Sequence, residues 1–65
     1  MKKDWNSVRR MLPKEGSNVQ ILYVVIDNHH AYYVQSEGTY LGNGYCFETQ
    51  EGIKKASYWR NCRVS

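Results

Sequence analysis

From Val19 onward the apolar residues fall on alternate positions, Val19, Ile21, Tyr23 and Val25, with Leu22, Val24 and Ile26 on the intervening ones. Successive side chains of a strand point to opposite faces, so this pattern predicts a strand covered on both sides and therefore central in a sheet. Asp27-Asn28-His29 reads as a turn, because Asp and Asn tolerate left-handed backbone and bond their own main chain. A second strand, His30 to Gln35, is rich in β-formers and pairs back on the first as a hairpin. Glu37-Gly38 then reads as a turn, Thr39-Tyr40-Leu41 as a short strand, and Gly42-Asn43-Gly44 as a tight hairpin whose Asn-Gly pair supplies positive φ. In the returning strand Tyr45 to Thr49, Tyr45 and Phe47 share one face and Cys46 and Glu48 the other. After Gln50-Glu51-Gly52, Ile53 to Cys62 forms a last strand or short arm that carries Tyr58 and Trp59.

The first residues follow a different period. Trp5, Val8 and Leu12 lie at i, i+3 and i+7, one face of a short helix that Asp4 would cap and Pro13 would stop. Asn6, Ser7 and Val8 are poor helix formers, so the same segment reads equally as an irregular arm anchored by Trp5. The expectation is a single domain over residues 1–65, with an arm and turn over 1–18 and a β-sheet over 19–62. Its class is mainly β, or small α+β if the helix forms. The architecture expected is an antiparallel meander or small barrel of about four or five short strands with a short N-terminal helix or arm.

Length limits what such a domain does. A chain of 65 residues buries only about 60% of its unfolded surface, and a core of this size supplies roughly 3–5 kcal/mol unless a metal, a disulfide or a partner adds to it. Cys46, Cys62 and the adjacent His29-His30 lack the spacing that gathers four tetrahedral ligands, so neither metal nor other cofactor is expected. A Cys46–Cys62 disulfide is conceivable, but Met1-Lys2-Lys3-Asp4-Trp5-Asn6 has no apolar core of a signal peptide. The expected setting is the cytoplasm, with reduced thiols. The apolar run Ile21 to Ile26 is far below the ~20 residues of a membrane-spanning helix, so no membrane role is expected. Partner binding or oligomerisation is left as the supplement to the core, and six Tyr, two Trp and Phe47 suit either a core or an interface.

Charge is informative by position. Residues 1–14 carry Lys2, Lys3, Arg9, Arg10 and Lys14 against Asp4, a net +4, and residues 54–65 carry Lys54, Lys55, Arg60 and Arg63 with no acid, again +4. Residues 15–53 carry Glu15, Asp27, Glu37, Glu48 and Glu51 with no Lys or Arg, a net −5, so the overall +3 is built basic–acidic–basic. If the chain ends lie together, a basic pole of Arg9, Arg10, Lys54, Lys55, Arg60 and Arg63 faces an acidic, tyrosine-rich body.

The pattern Trp5-x-Ser7-Val8-x-x-x-Leu12-Pro13-x-x-Gly16-x-x-Val19 resembles the opening of a family of small phage and prophage proteins whose domain has no assigned function. Ala31-Tyr32-Tyr33 and Trp59 extend the likeness in outline, whereas Arg60-Asn61-Cys62-Arg63 stands where that family has a proline-rich tail. The resemblance implies a mobile-element origin and a compact β domain, and it carries over no catalytic residue. The same residues also have a structural reading: Trp5, Val8 and Leu12 dock the arm, Pro13 ends it and Gly16 turns the chain into the first strand.

Catalytic constellations are thin. Cys46 alternates with aromatics in a strand and reads as a core side chain, and His29 and His30 point to opposite faces of an extended chain. Glu48 and Glu51 flank a turn with little depth to tune them, and Gly42-Asn43-Gly44 is too short to cradle phosphate. No enzyme activity is expected. The leading expectation is a protein-binding accessory protein of a phage or mobile element, acting on a host protein and conceivably inhibiting a defence complex, with Tyr32, Tyr33, Glu37, Tyr40, Tyr45 and Glu48 as the binding patch. Nucleic-acid binding through the basic pole is the alternative. It is disfavoured because stacking platforms combine aromatics with Lys and Arg in one groove, while these aromatics lie in the stretch without a basic residue. A third reading is a self-associating structural protein, paired through an edge such as Thr39 to Leu41.

Overall fold

Two long runs of β-branched and aromatic residues, Asn18–Asp27 and His30–Tyr40, form the centre of the computed structural model, which describes residues 4–62. In chain order the strands are β1 (Asn6–Ser7), β2 (Asn18–Asp27), β3 (His30–Tyr40), β4 (Cys46–Thr49), β5 (Gly52–Lys55) and β6 (Tyr58–Asn61). They lie in one open sheet in the order β1-β6-β2-β3-β4-β5, every neighbouring pair antiparallel. From β2 to β5 the chain is a meander, and β2 is central as its pattern requires.

The mainly β reading therefore holds, with three corrections. Residues 4–12 form no helix: the Ser7 carbonyl accepts from the Arg10 and Met11 N–H groups at 3.0 and 3.1 Å, one isolated turn after the two-residue β1. Of the two architectures expected, a meander or a small barrel of four or five short strands, the barrel is not formed: the described residues make six strands in one open sheet. The supposed turn at Glu37-Gly38 is the interior of an 11-residue strand. Gly38 is there because β4 passes close by. A Cβ at this position would lie 3.2 Å from Phe47 Cβ and 3.3 Å from the Glu48 carbonyl oxygen, so the missing side chain serves packing rather than a bend.

Elsewhere the turn chemistry acts as turn chemistry. Asp27 pairs with His30 across a two-residue loop in which Asn28 and His29 have φ of 50° and 68°, the left-handed pair that matches strand twist. In the next hairpin the positive φ falls on Gly42 and Gly44, at 75° and 59°, rather than on Asn43. The segment from Ile53 onward breaks into β5 and β6 at Ala56-Ser57. There the Ala56 N–H donates to the Tyr45 carbonyl at 3.0 Å and the Ser57 N–H to the Leu22 carbonyl at 2.8 Å. This corner carries the chain from one sheet edge to the other side of β2.

The core lies against one face only. Val19, Ile21 and Tyr23 of β2 are buried with Val8, Tyr40, Phe47, Ala56 and Trp59, and Val25 and Val34 pack partly against them. The expectation that β2 is covered on both faces is overturned: Leu22 is half-buried, and Val24 and Ile26 are 43% and 75% exposed. Among the described residues all strands lie in one sheet, and no second layer lies over its outer face.

The arm is held from the inside. Val8 is buried and its N–H donates to the Ser57 carbonyl at 3.2 Å, Pro13 is buried, and the Trp59 indole Nε1–H donates to the Met11 carbonyl at 2.8 Å. Trp59 is thus the anchor expected of Trp5, and Leu12 is exposed.

Candidate functional site

Antiparallel pairing places directly opposed residues on the same face, so the register defines the outer surface row by row. Gln20 is opposed by Glu37 and Arg60, Leu22 by Gln35 and Tyr58, Val24 by Tyr33, and Ile26 by Ala31. Ser7 extends the second row opposite Tyr58. The Arg60 guanidinium lies 4.3 Å from the centre of the Trp5 ring while its Nε–H donates to Gln20 Oε1 at 2.7 Å, which fixes this cation on the sheet.

Two regions stand out. The first is the outer end of the β2–β3 hairpin. Strand β6 pairs with β2 only from Val19 to Leu22, and β4 pairs with β3 only at Thr39 and Tyr40, so the ribbon runs on beyond both neighbours. Its outer face presents Val24, Ile26 and Ala31, all exposed. The second is a cleft of about 380 Å³ between arm, hairpin and corner, lined by Ser7, Arg9, Tyr33, Tyr45, Lys55, Ser57 and Tyr58 over Val8 and Ala56. The Tyr33 and Tyr58 rings meet edge to face with centroids 6.1 Å apart. Tyr33 and Tyr45 are 47% and 42% exposed.

The residues expected to form one acidic, tyrosine-rich patch are dispersed. Tyr40 is a core residue, 6% exposed, with its ring 5.1 Å from that of Phe47 and its hydroxyl donating to the Gly44 carbonyl at 2.9 Å. Tyr32 and Tyr33 point to opposite faces. Glu37 and Glu48 come together in a shallow polar groove with Asn18, Ser36, Thr39, Thr49 and Gln50. Tyr33 and Tyr45 instead join Arg9 and Lys55 in the cleft.

The basic pole is likewise divided. Arg9 and Lys55 share the cleft, Arg10 lines a hollow with Trp5 and Met11, Arg60 lies against Trp5, and Lys54 Nζ sits 5.4 Å from the Tyr23 ring centre on the inner face. Arg63 lies outside the described residues. The Thr39 to Leu41 edge is not an edge, since Thr39 pairs with both Asn18 and Glu48. The outermost strands are β1 and β5.

For chemistry the geometry offers little. His29 and His30 are exposed at the hairpin loop, and Cys46 and Cys62 are free thiols, each half-buried. Among the described residues no three His, Cys, Asp or Glu side chains gather where they could hold a metal ion. No helix there is long and apolar enough to cross a membrane.

Sequence reasoning missed Tyr58, Ser7 and Ser57 in the cleft and Val24 and Ile26 on the hairpin. Tyr58 follows a corner, Ala56-Ser57, that no Gly, Pro, Asn or Asp marks. The two apolar faces of β2 carry no sign of which one the chain leaves uncovered.

Fold and surface together define a small all-β domain built on one open antiparallel sheet. Comparison of the chain with protein-family models, curated proteins and solved structures finds no match.

Proposed function

We propose that this chain is a non-enzymatic protein-binding module and that the projecting β2–β3 hairpin is its docking element. The reading rests on one observation: Val24, Ile26 and Ala31 form an exposed apolar strip on a ribbon that no third strand of the described residues extends. A two-stranded ribbon is marginal in water by itself, and its free edges can add a strand from a partner. Covering a side chain as exposed as Ile26 contributes roughly 1–2 kcal/mol. The partner we favour is a protein of the host of a phage or mobile element, on the strength of the N-terminal resemblance.

The test is a purified pair. Tagged protein expressed in the host should retain one polypeptide, which after purification rebinds the unmodified chain in a defined ratio. Ile26→Asp and Val24→Asp should each weaken that binding at least roughly tenfold while circular dichroism and the unfolding midpoint stay near those of the parent. A partner that binds both variants as tightly as the parent removes the hairpin from the interface.

A further inference from the structure

The tertiary fold places tyrosines and cations that are far apart in sequence around one opening. Tyr33 comes from β3, Tyr45 from the approach to β4, Tyr58 from β6, Arg9 from the arm and Lys55 from the end of β5. None of the residues lining this cleft is an Asp or Glu, so its side chains sum to two positive charges. Two short hydroxyls, Ser7 and Ser57, complete the rim as neutral donors. Although chain order separates the tyrosines at 33 and 45 from the basic residues, the fold sets Tyr33 and Tyr45 beside Arg9 and Lys55.

We infer that this cleft binds a short single-stranded segment of nucleic acid, with a base held against the rings of Tyr33, Tyr45 and Tyr58 and flanking phosphates met by Arg9 and Lys55. Three requirements narrow the ligand. It is anionic, because two cations without a lining carboxylate leave the site electropositive. It presents flat π surfaces, because three tyrosine rings, Tyr33, Tyr45 and Tyr58, line the cleft and every base has a face to stack. Its bases are unpaired, since a cleft of about 380 Å³ admits a group of nucleotide size and not a duplex. An acidic peptide meets the first requirement alone. The hairpin strip of Val24, Ile26 and Ala31 borders the cleft at Tyr33 but lacks its charge, so the two surfaces are separable by mutation.

The experiment is fluorescence anisotropy of a labelled oligothymidylate about ten residues long, at ~50 and ~200 mM salt. Two phosphate contacts on a single strand give a log–log salt slope of about −1.4, hence about a sevenfold loss of affinity over that range from this pair. Arg9→Glu with Lys55→Glu should abolish that part of the slope, and both side chains are exposed, so the fold should tolerate the change. Tyr45→Ala should weaken binding roughly tenfold. On the unmodified protein, amide shifts on titration should centre on Tyr33, Tyr45, Lys55 and Tyr58, while Ile26→Asp should bind as the parent does. The inference is overturned by no binding at ~50 mM salt, by parent-like affinity of the double charge reversal, by shifts centred away from the cleft, or by a duplex or oligoglutamate that competes as well as the single strand.

Discussion

Gly38 offers a direct test of how this sheet is packed. In the fold it is a buried residue near the C-terminal end of β3, and a Cβ there would meet Phe47 Cβ at 3.2 Å, the Glu48 carbonyl oxygen at 3.3 Å and Ile21 Cδ1 at 3.3 Å. Two of these three atoms are fixed by the β3–β4 ladder, so the strain of Gly38→Ala has to be taken up by moving strands apart. Overpacking of this kind costs about 1–3 kcal/mol, partly offset by about 0.4–1 kcal/mol from the narrower unfolded ensemble of alanine. The net expectation is a loss of about 1–2 kcal/mol, a drop in Tm of roughly 4–16 °C for a domain of this size. Urea or thermal unfolding followed by circular dichroism reads it. A double-mutant cycle sharpens the assignment. Ile21→Val removes the one yielding contact and by itself costs about 0.5–1.5 kcal/mol, so the double variant should be more stable than additivity predicts by at least about 0.5 kcal/mol. If Gly38→Ala is as stable as the parent, or the cycle is additive, the close approach of β3 to β4 is wrong.

Two further changes probe the hairpin loop and the arm. His29 holds a left-handed backbone, φ 68°, with a side chain exposed to water, so His29→Gly should raise stability by up to about 1 kcal/mol as the loop becomes Asn-Gly; a lower unfolding midpoint counts against this turn. Trp59→Phe removes the 2.8 Å hydrogen bond to the Met11 carbonyl and should cost about 1–3 kcal/mol. Hydrogen exchange should then report faster opening of the β1–β6 amides, and unchanged protection there means that the arm is held by something other than Trp59.

The chain order itself determined much of the architecture. The period-two run from Val19 to Val25 makes a strand in any compact arrangement, because only alternation puts Val19, Ile21 and Tyr23 on one face. Asn28 and the glycines at 42 and 44 mark the loops, since few residues accept positive φ at low cost. What chain order left open depends on partners distant in sequence. Gly38 looks like a turn residue until β4 lies against it, and Leu22, Val24 and Ile26 look like core until the core gathers on the opposite face of β2. The charge pattern divides cleanly into basic and acidic blocks along the sequence, yet Arg9 and Lys55 stand beside Tyr33 and Tyr45. Pairing of β6 with β2 and the Ser57–Leu22 hydrogen bond at the corner bring them together, and those contacts join segments more than thirty residues apart. Local propensity decides the strands and turns; which side chains share a surface is decided by long-range backbone hydrogen bonds and by the burial of Ile21, Phe47 and Trp59, the terms that exist only once the sheet has formed.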